Sequence, residues 1–146
     1  MPDQLSHVKI LFDLENEDGT TDIESVWAVR DGTGYRLDNI PFYAREVAVD
    51  DVVDATLDPD GALRFEGLQR ASGHSTIRLW FEHEDDVQAV RDHLRRLGCP
   101  SELDLSRLVA VDVPTTVSYA TIRAYLDAQE ANGALEYEEG CLGQSE

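Results

Sequence analysis

The chain has 146 residues, 42% of them hydrophobic, and sets 30 acidic side chains against 12 basic ones for a net charge of −18. That much apolar material builds a core, and no apolar run is long enough to cross a bilayer as a helix. So acidic a surface repels phosphate backbones and anionic lipids, which excludes nucleic acid and membrane as direct partners in this reading.

Of the basic residues only Lys9 is a lysine. An acidic surface attracts a basic protein or mimics a nucleic acid toward one. Salt adaptation and coding bias produce the same composition, so charge alone argues for solubility before it argues for a partner. The two cysteines, Cys99 and Cys141, are too few for a disulfide framework, and the four histidines show no zinc spacing. No metal and no cofactor are expected. Residues 1–7 lack the basic and apolar regions of a leader, which places the protein in the cytoplasm.

The first half reads as strands. Val8, Ile10, Phe12 and Leu14 alternate with Lys9, Leu11, Asp13 and Glu15 and form one fully apolar face. A polar loop, residues 16–22, leads to a strand over 24–30. Asp31-Gly32-Thr33-Gly34 is a hairpin signal, and 35–38 is the return strand before Pro41 breaks the pairing. Residues 51–57 form a strand that Asp58-Pro59-Asp60-Gly61 turns into another over 63–70. Leu68 falls out of phase with Leu63 and Phe65, and Gly67 stands where a bulge would restore the pattern.

The second half changes period. Residues 75–82 read as a strand with Ile77, Leu79 and Phe81 on one side. Asp85 or Asp86 caps a helix whose stripe is Val87, Val90, Leu94 and Leu97, stopped by Gly98 and Pro100. Strands over 101–105 and 108–113 follow. Ser118 caps a second helix with Tyr119, Ile122 and Leu126 inward and Gly133 at its end, and 135–141 is the last strand.

The fold class is α+β. A five-stranded antiparallel β lobe over residues 1–71, a small barrel or curled sheet, precedes a ferredoxin-like βαββαβ lobe over residues 72–146, the two packed as one unit. The usual ferredoxin-like strand order puts the strands of Cys99 and Cys141 on opposite edges, too far apart to bridge.

Residues 8–14, Glu24-Ser25-Val26-Trp27-Ala28, the 35–43 stretch ending Leu37-Asp38-Asn39-Ile40-Pro41-Phe42-Tyr43, Asp51-Val52-Val53 and residues 72–78 together resemble the bacterial family of unknown function DUF4265. The resemblance implies a bacterial cytoplasmic protein. It implies no activity, cofactor or catalytic residue, and it implies that Asn is tolerated at the His74 position.

Four constellations remain. Asp38 and Asn39 could bind a polar ligand beside Phe42 and Tyr43. The turn reading is stronger: both side chains bond nearby backbone N–H groups while Phe42 plugs the core. Ser72, Ser75 and Thr76 surround His74, with Asp38 a conceivable orienter, but adjacent strand residues face opposite ways and a structural turn reads better than a hydrolase. Residues 16–22 look faintly like a calcium loop, yet Leu14 and Ser25 stand where ligands belong. Arg78 and Trp80 share the face opposite Ile77, Leu79 and Phe81. Acidic neighbours argue against RNA there, so that face packs on the first lobe or on a second subunit of a homodimer, burying Trp80.

The expected function is a non-catalytic binding or regulatory protein, an acidic partner covering a basic protein surface in the manner of an immunity protein or antitoxin. The alternative is a sensor holding a small molecule between the lobes near Asp38, Phe42 and His74. A hydrolase is the remote third reading.

Overall fold

The computed structural model of the chain describes residues 6–143. The leader reading rests on residues 1–7, of which 1–5 lie outside the described residues. Five strands open the fold: β1 (His7–Glu15), β2 (Thr21–Asp31), β3 (Gly34–Leu37), β4 (Val52–Leu57) and β5 (Leu63–Arg70). Consecutive strands pair antiparallel. The sheet then closes on itself through a parallel contact of β5 with β1, where Ile10 meets Leu63. Closure leaves no edge strand to aggregate. The five-stranded sheet is otherwise antiparallel, and the closed form is the small barrel of the two shapes the sequence left open.

The period-2 pattern of β1 decides what fills the barrel. Ile10 and Phe12 are buried with Val26, Ala28, Leu37 and Val53, and Val8 and Leu14 pack against them. Phe12 stacks on Phe65 with ring centroids 4.7 Å apart. The bulge falls at Glu66 and Gly67: Ala55 faces Phe65 while Asp54 already faces Gly67. It does not bury Leu68, which remains exposed.

A second sheet follows: β6 (Ser75–Phe81), α1 (Val87–Arg96), β7 (Ser101–Asp104), β8 (Leu108–Val113), α2 (Tyr119–Ala131) and β9 (Leu135–Cys141). Its order is β7-β8-β6-β9, all neighbours antiparallel. Ile77, Leu79 and Phe81 meet Val87, Val90, Leu94, Ile122 and Leu126 in one buried cluster, so both helices lie on that face. Ser118 caps α2, its Oγ accepting the Thr121 N–H. Neither Asp85 nor Asp86 caps α1 by a side chain. A 3-10 turn over Glu84–Asp86 leads into it instead. Gly98 ends α1 at φ +100°, and a Cβ there would come within 2.9 Å of Val117, so both backbone and packing demand glycine. Cys99 and Cys141 are both free thiols. Among the described residues no helix is long and apolar enough to cross a membrane.

The segment between β3 and β4 is what joins the two sheets. Ile40, Ala44, Val47 and Ala48 are buried along it. Val47 O accepts from the Thr76 hydroxyl, Phe42 O from the Arg78 guanidinium, and Gly140 O accepts the Glu46 N–H. Glu46 and Asp50 reach left-handed backbone at φ 64° and 69°, a strain of about 1 kcal/mol or more each that the surrounding hydrogen bonds hold in place.

Candidate functional site: the cleft between barrel and second sheet

Side chains at paired register positions share a face of an antiparallel sheet. Arg78 therefore shares its face with Ala110 and Glu138, and Trp80 shares it with Leu108 and Glu136. This face looks toward the barrel. The 38–51 segment covers the rows of Thr76 and Arg78, which are 2% and 4% exposed. It stops before the next row, and Trp80 is 39% exposed. The expectation that the first lobe buries Trp80 is thus corrected: the covering segment turns away at Tyr43, itself 40% exposed.

The gap is a cleft of about 630 Å³ lined by the end of the β1–β2 hairpin, by Tyr43 and Arg45, and by Arg78, Trp80 and Glu138. Arg78 forms its floor. One guanidinium nitrogen donates to Phe42 O at 2.6 Å, another to Glu138 Oε1 at 2.8 Å, and Nε has no partner among the described residues. Arg45 approaches the same Glu138 oxygen from outside at 2.6 Å with its side chain 65% exposed. Tyr43 donates its hydroxyl to Asp104 at 3.3 Å, and burial beside that carboxylate raises the phenol's pKa. Glu15 and Asp22 add carboxylates from the hairpin. Aromatic faces framed by carboxylates suit a cationic group.

Tyr43, Arg78 and Trp80 thus come together. The other sequence-singled residues do not join them. Asn39 accepts the Trp27 N–H at 2.6 Å, a bond across 12 residues rather than a local turn. Asp38 lies 2.6 Å from the His7 ring and 3.8 Å from Arg36. Phe42 is only partly buried and lies outside the barrel cluster, whose contributions from this segment are Ala44 and Val47. What matters in Phe42 is its backbone. The Glu24 carboxylate accepts the N–H groups of Phe42, Tyr43 and Ala44 at 2.6, 2.9 and 2.7 Å. Sequence reasoning missed Glu24, although the signal was there: an acid in phase with the inward-facing Val26 and Ala28 of β2.

His74 stands at a separate place. Its Nδ1 lies 2.8 Å from Asp112, its Nε2 3.8 Å from Asp50. Asp38 reaches it only through Arg36 and Asp50, so Asp112 and not Asp38 orients the imidazole. Burial raises the Asp112 carboxyl above its ordinary pKa, and the His74 contact offsets part of that. The neighbouring hydroxyls are engaged elsewhere. Ser72 bonds Val49 O and the buried Asp51, Ser75 accepts the Gly143 N–H, and Thr76 bonds Val47 O. In the 16–22 loop Asn16 and Asp18 bond Thr20 and Asp22, satisfying one another. Among the described residues no three His, Cys, Asp or Glu side chains gather as a metal site requires.

A solved structure described as a hypothetical protein from Neisseria gonorrhoeae is similar over 98% of this chain and 100% of its own, with a TM-score of 0.81 at 20% identity. At that identity the likeness shows the fold alone. No curated protein matches. The family model of the domain of unknown function DUF4265 matches residues 24–137, a span holding the Glu24 cap, the 38–51 segment and Phe42, one partner of the Arg78 guanidinium; the other partner, Glu138, lies one residue past it. The chain belongs to the DUF4265 family.

Proposed function

We propose that the protein is a non-catalytic binding protein of the cytoplasm that covers a basic surface of another protein, in the manner of an immunity protein or antitoxin. The observation that carries this reading is Trp80, left 39% exposed in a cleft whose rim is acidic. An exposed indole beside Tyr43 on a folded monomer is a common mark of an interaction site. The net charge of −18 speeds the approach of a basic partner. Glu136 and Glu138 flank the same face and oppose an RNA backbone. The order β7-β8-β6-β9, with both helices on one side, supports a ferredoxin-like arrangement for the second sheet.

A small-molecule sensor is the second reading, favoured by a cleft volume in the range of ligand sites. Its ligand belongs with Tyr43, Arg78 and Trp80. A hydrolase has less support, because the hydroxyls near His74 are bound to other groups.

Affinity capture from the native host, with wild type beside Trp80→Glu, tests the proposal by mass spectrometry of proteins and small molecules. A basic protein retained by wild type and depleted by the variant is the expected result. Retention of a small molecule alone supports the sensor, and identical captures overturn both.

A further inference from the structure

We infer that the cleft recognises arginine in particular, as an arginine-bearing segment of the partner, and that Arg45 rests there as an internal stand-in that this arginine displaces. The inference rests on the basic-partner reading and names its chemistry. Arg45 gives the first observation: one of its guanidinium nitrogens sits 2.6 Å from Glu138 Oε1 at the cleft wall. A guanidinium already fits there. With 65% of its side chain exposed, Arg45 is held mainly by that bond and leaves easily.

The second observation is how Glu138 is fixed. Arg78, 4% exposed, holds the same Oε1 from the floor at 2.8 Å. Gly140, on the same strand, keeps room for that guanidinium, since a Cβ there would come within 3.1 Å of it. Glu138 is therefore a positioned acceptor and not a wandering surface acid. Trp80 and Tyr43 line the same cleft as Glu138. A planar guanidinium can stack on an indole while its edge donates to a carboxylate, whereas an ammonium offers a point charge with no plane to stack. The walls thus discriminate between two cations that the net charge alone treats alike.

The test uses hexa-arginine and hexa-lysine as probes of equal charge, titrated into the full chain at about 150 mM NaCl to screen distant carboxylates. Arg45→Ala and Trp80→Ala change exposed side chains, and Arg70→Ala is the charge-matched control, its side chain 66% exposed and paired with Asp31 at 3.6 Å. Melting curves check that each variant folds. Hexa-arginine should bind wild type at least about fivefold tighter than hexa-lysine, and Trp80→Ala should abolish that preference. Arg45→Ala should tighten hexa-arginine binding at least about threefold more than Arg70→Ala does. Equal affinities for the two probes, or equal effects of Arg45→Ala and Arg70→Ala, overturn the arginine inference and leave the basic-partner reading standing. No binding of either probe overturns both.

Discussion

Asn39 accepts the backbone N–H of Trp27 through its side-chain oxygen at 2.6 Å, while the N–H of Asp38 donates to Trp27 O at 2.8 Å. Between them these bonds finish the β2–β3 ladder after the last backbone pair, Ala28 with Leu37. The chain must turn away here toward Pro41, and a side chain stands in for the missing strand. Asn39→Ala should lower stability by about 1 kcal/mol, held to that by the exposure of Trp27, whose freed N–H can find water. Asn39→Asp keeps the acceptor and should stay within about 0.5 kcal/mol of wild type. Urea titrations of the two variants check the pair.

The Glu24 cap should cost more to remove. One carboxylate accepts three successive N–H groups and so fixes the course of the segment that joins the sheets. Glu24→Ala strands those donors under a partly buried wall and should destabilise by about 3 kcal/mol. Glu24→Gln turns one acceptor oxygen into a donor facing other donors, so it should not rescue the fold. A Glu24→Gln protein as stable as wild type would show that the cap is not what holds the segment.

His74 should tolerate one replacement and reject others. An Asn side chain can place its amide nitrogen where the imidazole Nδ1 now stands, 2.8 Å from Asp112, and only the weaker approach to Asp50 is lost. His74→Asn should therefore melt close to wild type. His74→Leu leaves a buried carboxylate without its donor and should cost about 2 kcal/mol. Equal melting of the two variants would remove the Asp112 bond from the account.

Much of this architecture was legible in the chain, and the illegible parts share a cause. Strands β1 and β5 and both helices follow from short-range periodicity, which local sequence carries. The Glu24 cap joins residues about twenty positions apart, and the Arg45–Glu138 pair spans 93. No local pattern encodes such a pairing, and Glu138 in sequence looks like any solvated strand acid. Trp80 failed differently. Alternation gave its direction correctly, but burial depended on how far the 38–51 segment reaches, and it covers the Arg78 row without reaching the next.

Trp80→Ala should accordingly cost a monomer less than about 1.5 kcal/mol, roughly half the value for a buried indole. Both tryptophans, Trp27 and Trp80, are partly exposed, so native emission should be red-shifted and open to acrylamide. A blue-shifted emission with melting that rises with protein concentration would place Trp80 in a homodimer interface instead.

Both thiols should be poor nucleophiles. Burial pushes the Cys99 thiol up to about 12 and the Cys141 thiol up to about 11, with nearby carboxylates adding to each. At pH 8 Cys141 should react with a thiol reagent about 100-fold more slowly than in denaturant. The sign for stability follows. The folded state favours the neutral thiol, so its contribution is full below the ordinary value of 9.0 and is lost as pH rises toward 11 and 12. The melting temperature should fall from pH 8.5 to 10.5, and less steeply in a Cys99→Ala, Cys141→Ser protein.

Salt should stabilise the fold, and one arginine should control how strongly. Eighteen excess negative charges repel one another in the compact state, and ions screen that repulsion beyond about 8 Å at physiological strength. Screening also weakens attractive pairs, so the outcome depends on which distances dominate. The attractive contacts are short: Arg64 lies 2.7 Å from Asp13 and 2.9 Å from Asp58. Most of the repulsion is long-range, because the carboxylates far outnumber the cations that could pair with them. The melting temperature should therefore rise by about 5 °C between low salt and about 300 mM NaCl. Arg36 sharpens the test. It lies 3.9, 3.8 and 3.2 Å from Asp31, Asp38 and Asp50 and bridges the three carboxylates, while Arg70 lies 3.6 Å from Asp31 and the His7 ring 2.6 Å from Asp38. Arg36→Ala leaves those three to repel one another, so the variant should be less stable at low salt and gain more from added NaCl than wild type does. A flat wild-type curve would show the charges already dispersed, and parallel curves for the two proteins would show that Arg36 holds no cluster together.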